Sequence, residues 1–474
     1  MKDSPAQSGK RRRAGLRVAG VLFLLLIFGA GWFLIIFGRV AAGYAATIGA
    51  VQVFGTGDDV NRVLSERMRL PLGLGRFMSL EVVEGEAQRV RARSFGVFES
   101  EAEWRSGLGA IRVVEGAGEL PASIPDEVPA LQDSVPWPLG ESPELAPLSD
   151  SQRRGVKAAI DRIFTDEAGN SNGTHAVVLV VDGQLVAERY REGYDRHTPI
   201  LGWSMTKSVT GTLIGRLIAL ERLAGIEMRA PVPEWSAKDD PRGEISLEDL
   251  LRMRSGLEFF ANYELPWADS LQMLFRSADC AGFAAQKPLA HPPGAVWSYS
   301  DGTANILARI VRDHAGDREA ERLAFPQRHL FGPLRMSTAV MCVDASGTWI
   351  GSSLMLASAR DWARYGQLHI DDGVFAGERL LPEGWVDFAA SATPESDGRC
   401  YGGAQFWRFD EEELLDAHGN GVPSEVGGIL YASGHAGQYV WMDRRRRLVL
   451  VRLGILEPGF DPMAFLTDIL RLFS

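Results

Sequence analysis

The sequence predicts an α/β fold of the α+β kind, an antiparallel sheet flanked by helices in up to three layers, standing behind an N-terminal membrane-spanning helix. Three observations predict it: an apolar run of bilayer length near the N-terminus, strand-like pieces at both ends of residues 149–474, and helical periodicity between those ends.

The apolar run comes first. Residues 1–17 form a basic tail, with Lys10, Arg11, Arg12, Arg13 and Arg17 preceding VLFLLLIFGAGWFLIIF within Val18–Gly38. A bilayer span needs about 20 apolar residues. Basic flanks stay cytoplasmic, so a single pass through the inner (cytoplasmic) membrane is expected, with everything after Arg39 periplasmic or extracellular. Val40-Ala41-Ala42 offers the small residues of a signal-peptide cleavage site. The run nevertheless exceeds the roughly 7 to 15 residues of a leader's apolar core, which favours a retained anchor.

Residues 43–118 follow as a mixed region without assignable chemistry, helical near Asp59–Met68 and strand-like in SLEVVEG and RVRARSF. Prolines crowd residues 119–148, which read as an extended linker or wrapping arm and place a domain boundary near residue 149. Beyond it a helix opens near Ser149, and AVVLVV and QLVAERY flank the turn dipeptide Asp182-Gly183, a hairpin signal. At the far end GQYVWM and RLVLVRL form a second strand pair, and Asp461-Pro462 starts a closing helix. Both ends are therefore expected in one sheet. Helical patterns fill the middle, including Ser204–Arg222 and a capping box at Ser246–Asp249.

Composition excludes some functions. With 50 lysines and arginines against 61 acidic residues the net charge is -11, and no basic stripe follows the N-terminus, which argues against a nucleic-acid partner. Cys280, Cys342 and Cys400 lack zinc spacing and allow at most one disulfide. The histidines, His291 among them, show no paired metal-ligand spacing, so no metal or cofactor is expected.

Three segments carry chemistry. Gly202-Trp203-Ser204-Met205-Thr206-Lys207 places a hydroxyl and an amine three residues apart at a helix start, on one face. A serine is a weak nucleophile until a base takes its proton, and a partly desolvated lysine can serve. Alone, this pattern equally describes an N-cap serine followed by a solvated lysine. Tyr299, in the loop Pro293–Asp301 before a helix, can present a phenol, although a half-buried aromatic fits as well. Ser433-Gly434-His435-Ala436-Gly437-Gln438 stands at the entry to a C-terminal strand, where small residues let a substrate lie along the strand edge. A turn with an incidental histidine is the plainer reading of that segment.

In that order and spacing, the three segments resemble the serine β-lactamase and penicillin-binding-protein family over roughly residues 150–474. Class C enzymes, D-alanyl-D-alanine peptidases, related esterases and 6-aminohexanoate-dimer hydrolases are the similar branches. Ser204 and Lys207 meet the Ser-x-x-Lys motif; Tyr299 meets Tyr-x-Asn, with Asp301 where the family usually has Asn. His435-Ala436-Gly437 stands where β-lactamases carry Lys-Thr-Gly, a pattern similar to the esterase-like and amidase-like members. LLRMRSGLEF and SSLMLASARDWARYGQLHIDDG also look familiar.

The resemblance implies a β-lactamase/transpeptidase-like fold with an all-helical part, and a serine hydrolase cleaving an ester or amide of a small or peptide-like substrate through an acyl-enzyme. In that scheme Ser204 attacks, and Lys207 and Tyr299 share proton transfer. The N–H groups of Ser204 and Gln438 hold the oxyanion, Gln438 being the residue after His-x-Gly. His435, Gly437, Asp301 and, in the loop FANYELPW, Tyr263 are the implied substrate-binding residues. A true β-lactamase or carboxypeptidase, and a non-catalytic module that holds a cell-wall peptide in the same cleft, are the alternatives. The Gly-x-Ser-x-Gly elbow of α/β-hydrolases is not matched, since Thr206 stands at the second glycine.

Overall fold

The computed structural model describes residues 5–68, 75–85, 87–124, 128–142, 144–165, 173–396, 400–409, 421, 423–457 and 460–474. A helix α1 (Pro5–Ala50) leads into four short strands, β1 (Met78–Val83), β2 (Gln88–Ser94), β3 (Phe98–Arg105) and β4 (Gly109–Arg112). Then come α2 (Asp150–Phe164), β5 (Thr174–Val181), β6 (Gln184–Tyr190), α3 (Met205–Ala219), α4 (Asp269–Arg276), α5 (Asp301–His314) and α6 (Ala359–Ile370). The chain closes with β7 (Trp407–Arg408), β8 (Leu430–Gly434), β9 (Gln438–Asp443), β10 (Leu448–Gly454) and α7 (Pro462–Arg471), among shorter elements.

One six-stranded sheet organises residues 149–474, in the order β7-β8-β9-β10-β5-β6 with every neighbour antiparallel. Both chain ends meet where β10 pairs β5, as expected from the sequence. The first hairpin turns at Asp182 and Gly183, both at positive φ of 50° and 72°, the type I′ geometry that Asp-Gly favours. Because side chains alternate across a strand, the two faces separate cleanly. Val178, Val180, Val440, Val449 and Val451 join the large core that contains α6 and the helical middle. Val177, Leu179, Trp441, Leu448 and Leu450 pack instead against α2 and α7. The result is the three-layer arrangement. Its caps are the expected ones: Ser149 opens α2, a Ser246–Asp249 capping box opens Leu247–Leu251, and Asp461 accepts from Met463 and Ala464 to start α7.

Packing crosses the compositional boundary near residue 149. β1–β4 form a separate antiparallel meander, in which SLEVV and RVRARS are paired strands, and it wraps the second half of α1. Ala41, Ala45, Ala46, Ile48 and Val51 of that region lie in the same core as the helical middle. Small residues make the approach possible: a Cβ at Gly43 would collide with the Phe275 carbonyl at the end of α4. The proline-rich arm is likewise seated, since Glu141 is buried and accepts from Arg360 at 2.8 Å and Arg364 at 2.6 Å, both on α6. The first half of α1 behaves differently. The stretch Val21–Thr56 contains a window with mean hydropathy of 2.6, long and apolar enough to cross a membrane, and Val21–Ile35 is exposed. Cys280, Cys342 and Cys400 are all buried.

Candidate active site

Ser204 sits at the N-terminal edge of α3, held by a clamp made of backbone. Strand residues Ile200-Leu201 pair with Leu356-Ala357, Gly202 N–H donates to the Met355 carbonyl at 2.8 Å, and the Thr206 hydroxyl ties back to the Trp203 carbonyl at 2.6 Å. Trp203 itself takes φ of 49°, a left-handed conformation that costs a bulky residue energy and that surrounding structure must enforce. The strained step delivers Ser204 to the first turn of α3, where the helix dipole favours developing negative charge. The Ser204 N–H finds no acceptor among the described residues.

Lys207, one turn on, is 1% exposed, and its Nζ donates to Ser204 Oγ at 3.2 Å, to Asp301 Oδ1 at 2.6 Å and to the Ser352 carbonyl at 3.0 Å. The amine lies 4.7 Å from the centroid of the Tyr299 ring. Burial pushes its pKa down, but the charge of the equally buried Asp301, with Tyr299 adding to it, outweighs burial and the net shift is upward. Lys207 is therefore an ammonium at neutral pH. Asp301 begins α5; the Tyr263 hydroxyl donates to its Oδ2 at 2.6 Å, and Asn305 one turn later donates to its carbonyl at 2.9 Å. Tyr263 keeps 54% of its surface exposed while its hydroxyl reaches this buried carboxylate, and burial followed by the Asp301 charge raises the phenol's pKa. Tyr299 leans on an aromatic wall of Trp297, Tyr401 and Trp407, with ring centroids 5.5 Å apart for Trp407. The expected residues Ser204, Lys207, Tyr299, Asp301 and Tyr263 thus converge.

The C-terminal motif is placed differently from the sequence expectation. His435, Ala436 and Gly437 form the turn between β8 and β9, with Ala436 and Gly437 at φ of 63° and 84°. It is the end of β8, before that turn, that meets the nucleophile: a Cβ at Gly434 would collide with the Gly202 carbonyl, and the His435 ring stands edge-on to Trp203 at 5.4 Å. Among the described residues β7 pairs with Leu430 and Tyr431 of β8, and Ala432, Ser433 and Gly434 have no β7 partner. Gly437 instead abuts the Arg452 guanidinium. The Gln438 amide is tied to the Gly454 carbonyl and accepts from the Gly454 N–H at 2.9 Å, on β10. Since β9 is flanked by β8 and β10, Gln438 faces a ladder on each side. The Gln438 Cβ lies against Gly434, at its approach to the Gly202 carbonyl, while Gly437 is turned toward Arg452. Crowding lowers the His435 pKa, and since even a fully solvated imidazole titrates near about 6.5, the ring is neutral at pH 7.

Sequence reasoning missed Trp203, Asn305, Ser352 and Gly434 as parts of the site. Asn305 was findable, as a polar residue one helical turn after Asp301. The Ser352 contribution is a backbone carbonyl and leaves no mark in side-chain identity.

A half-buried serine bonded by a buried lysine, a tyrosine at the same centre and a strand end against the glycine two residues before the serine define a serine hydrolase of the β-lactamase/transpeptidase-like fold. The chain belongs to the Beta-lactamase family, whose model matches residues 160–462. It is 29% identical over 314 residues to the 6-aminohexanoate-dimer hydrolase of Paenarthrobacter ureafaciens, covering 59% of this chain and 72% of that one. A Bacillus anthracis structure assigned as a 6-aminohexanoate-dimer hydrolase superposes with a TM-score of 0.51 at 24% identity, covering 63% of this chain and 78% of that one. A penicillin-binding-protein homologue from Caulobacter crescentus gives 0.50 at 16% identity, over 70% and 98% of the two chains.

Proposed function

We propose that this chain is a membrane-anchored amide or ester hydrolase that works through an acyl-enzyme on Ser204 and prefers substrates without a carboxylate at the recognition end. The observation that carries the reading is the Ser204–Lys207–Asp301 chain of contacts, set beside the end of β8. Ser204 Oγ forms the bond to the acyl carbon as its proton passes through Tyr299 to the departing alcohol or amine, whose bond to that carbon breaks, while the Lys207 ammonium holds the Ser204 and Tyr299 oxygens. The N–H of Ser204 and the N–H of His435, which follows the Gly434 contact, are the oxyanion donors we assign in place of Gln438. Water, activated by Tyr299, then cleaves the ester and restores the hydroxyl.

Substrate preference follows from charge. In relatives that recognise penicillins the lysine and hydroxyl of Lys-Thr-Gly hold the substrate carboxylate. Here the strand edge carries Ala432, Ser433 and Gly434, the neighbouring His435 is neutral, and Lys207 is committed to Asp301. The Arg452 guanidinium is buried and spent on the Gly437 and Ile455 carbonyls and the Thr174 hydroxyl. Lacking a charge-assisted contact costs about 1.5–3 kcal/mol, roughly tenfold to over a hundredfold in binding. p-Nitrophenyl butyrate is expected to be turned over with a kcat/KM at least tenfold above those of nitrocefin and benzylpenicillin. Penicillin turnover exceeding ester turnover would overturn the preference, and no turnover of any of them would favour a binding module.

The anchor reading is supported by α1 itself. Val40, Ala41 and Ala42, the residues of the would-be cleavage site, are 5%, 3% and 0% exposed, inside a helix that continues to Ala50. Cleavage there would strip packing from the folded domain. An alkaline phosphatase fused after Ser474 is expected to be active and a cytoplasm-restricted fluorescent protein at that point dark; the reverse pattern would refute the N-in, C-out arrangement.

A further inference from the structure

The loop that carries Tyr263 also touches the exposed half of α1. Trp267, four residues after Tyr263, packs at a tilt against Trp32 at a centroid distance of 6.1 Å and meets Phe33 edge-on at 6.3 Å. Both partners lie inside the apolar run, five and six residues before its end at Gly38. At 1.5 Å of rise per residue, Trp267 stands about 8 to 9 Å within the apolar length of the helix. That is the depth at which interfacial aromatic residues and amphipathic segments settle. The loop is set there by structure: Phe260 and Asp269 close its base with two hydrogen bonds, at 2.9 and 3.0 Å, and α4, which follows it, packs on α1.

The apolar surface continues along that face of the helix, where Phe33 stacks on Phe37 one turn on, at 5.8 Å. Phe37 meets Phe95, which stacks on Phe77 at 5.3 Å, and Val97 at the tip of that hairpin is 77% exposed. With Phe260 at 47% and Trp267 at 41% exposed, a soluble protein would present a strip of aromatic surface along one face of the helix to water. Exposed Arg39 and Arg276 stand beside it, where anionic headgroups would attract them. From this strip to Ser204 the connection is short: Tyr263 donates to Asp301, Asp301 holds Lys207, and Lys207 donates to Ser204.

We propose that the site draws its substrate from the bilayer: an ester or amide bearing a hydrocarbon chain, which enters beside the 259–268 loop while that loop lies in the headgroup region. The proposal rests on the anchored serine hydrolase reading above. It explains why a half-exposed tyrosine reaches the catalytic carboxylate from a loop whose other end is packed on the anchor. A water-soluble substrate would give that juxtaposition no role.

The test uses the full-length chain in phosphatidylcholine–phosphatidylglycerol vesicles. The three native thiols are buried, so Phe260→Cys can be labelled with an environment-sensitive nitrobenzoxadiazole fluorophore. Lipids carrying a doxyl quencher near the headgroup are expected to quench it at least twofold. In parallel, the ratio of kcat/KM for p-nitrophenyl palmitate to that for p-nitrophenyl butyrate is expected to exceed tenfold in vesicles and to fall at least tenfold in Trp267→Ser. An unquenched fluorophore, or a chain-length ratio that Trp267→Ser leaves unchanged, overturns the proposal. Failures of the underlying reading look different: activity retained in Ser204→Ala refutes the hydrolase assignment, and a chain that does not float with the vesicles refutes the anchor.

Discussion

Ser204→Ala is expected to lower kcat/KM on the order of 10⁴-fold or more and to eliminate the covalent adduct formed with a fluorophosphonate. The hydroxyl's recorded bond is the one from Lys207, so the fold has little to lose, and the thermal midpoint should move by no more than a degree or two. Lys207→Ala should lose nearly as much activity. The double variant should be no worse than the worse single one, because a nucleophile and the group that activates it act as a unit. Mass spectrometry of the Ser204 peptide together with steady-state kinetics checks this. Turnover by Ser204→Ala within tenfold of the parent would remove the covalent mechanism.

Asp301→Asn should change the enzyme's response to pH in a direction that can be worked out. In the parent, burial alone would depress the Lys207 pKa, and Asp301 reverses that and raises it above the ordinary 10.5. A raised lysine contributes stability that is fully present below the unfolded value and lost only as pH climbs through the folded one. This pair therefore adds no slope between pH 7 and 10. Remove the carboxylate charge and burial dominates, so the folded amine falls below its ordinary value. The unfolded chain then binds more protons than the folded chain, and stability rises with pH over that range. At pH 7 the variant is expected to be less stable by about 3 kcal/mol, the cost of breaking a buried pair, with neutralisation of the amine limiting the loss. Its acid limb of kcat/KM should shift to lower pH as neutral Lys207 joins Tyr299 in the base role. Urea midpoints at pH 7 and 9.5 and a pH–rate profile decide the matter; a profile superimposable on the parent's would show that Asp301 does not control Lys207.

Much of the arrangement is local and was legible for that reason. A Ser-x-x-Lys pair at a helix start needs only the i, i+3 geometry of one turn, and Asp182-Gly183, Ser149, the Ser246–Asp249 box and Asp461-Pro462 each carry their turn or cap within four residues. Asp301 and Tyr263 were named through resemblance, yet nothing in their spacing says that the Tyr263 hydroxyl reaches Asp301 across 38 residues. The C-terminal motif shows the limit most sharply. Gly434 and Gly437 both suit a close approach, three residues apart, and the strands on either side are apolar enough to leave the choice open. Contact with the Gly202 carbonyl, more than 200 residues earlier, selects Gly434 as the close approach, and Gly437 turns instead toward Arg452.

The N-terminal half divides in the same way. Hydropathy by itself determined that Val18–Gly38 can span a bilayer, and the motif spacing singled out Ser204, Lys207 and Tyr299 as candidates, because those are properties of short segments. That the helix runs on to Ala50, buries Val40–Ala42, and carries Trp32 and Phe33 against Trp267 was decided by tertiary structure alone. Alanines and glycines after Arg39 read equally well as a cleavage site or as a closely packed helix. The meander at residues 78–112 and α4 at residue 275, brought together by the fold, supply the surface on which they pack.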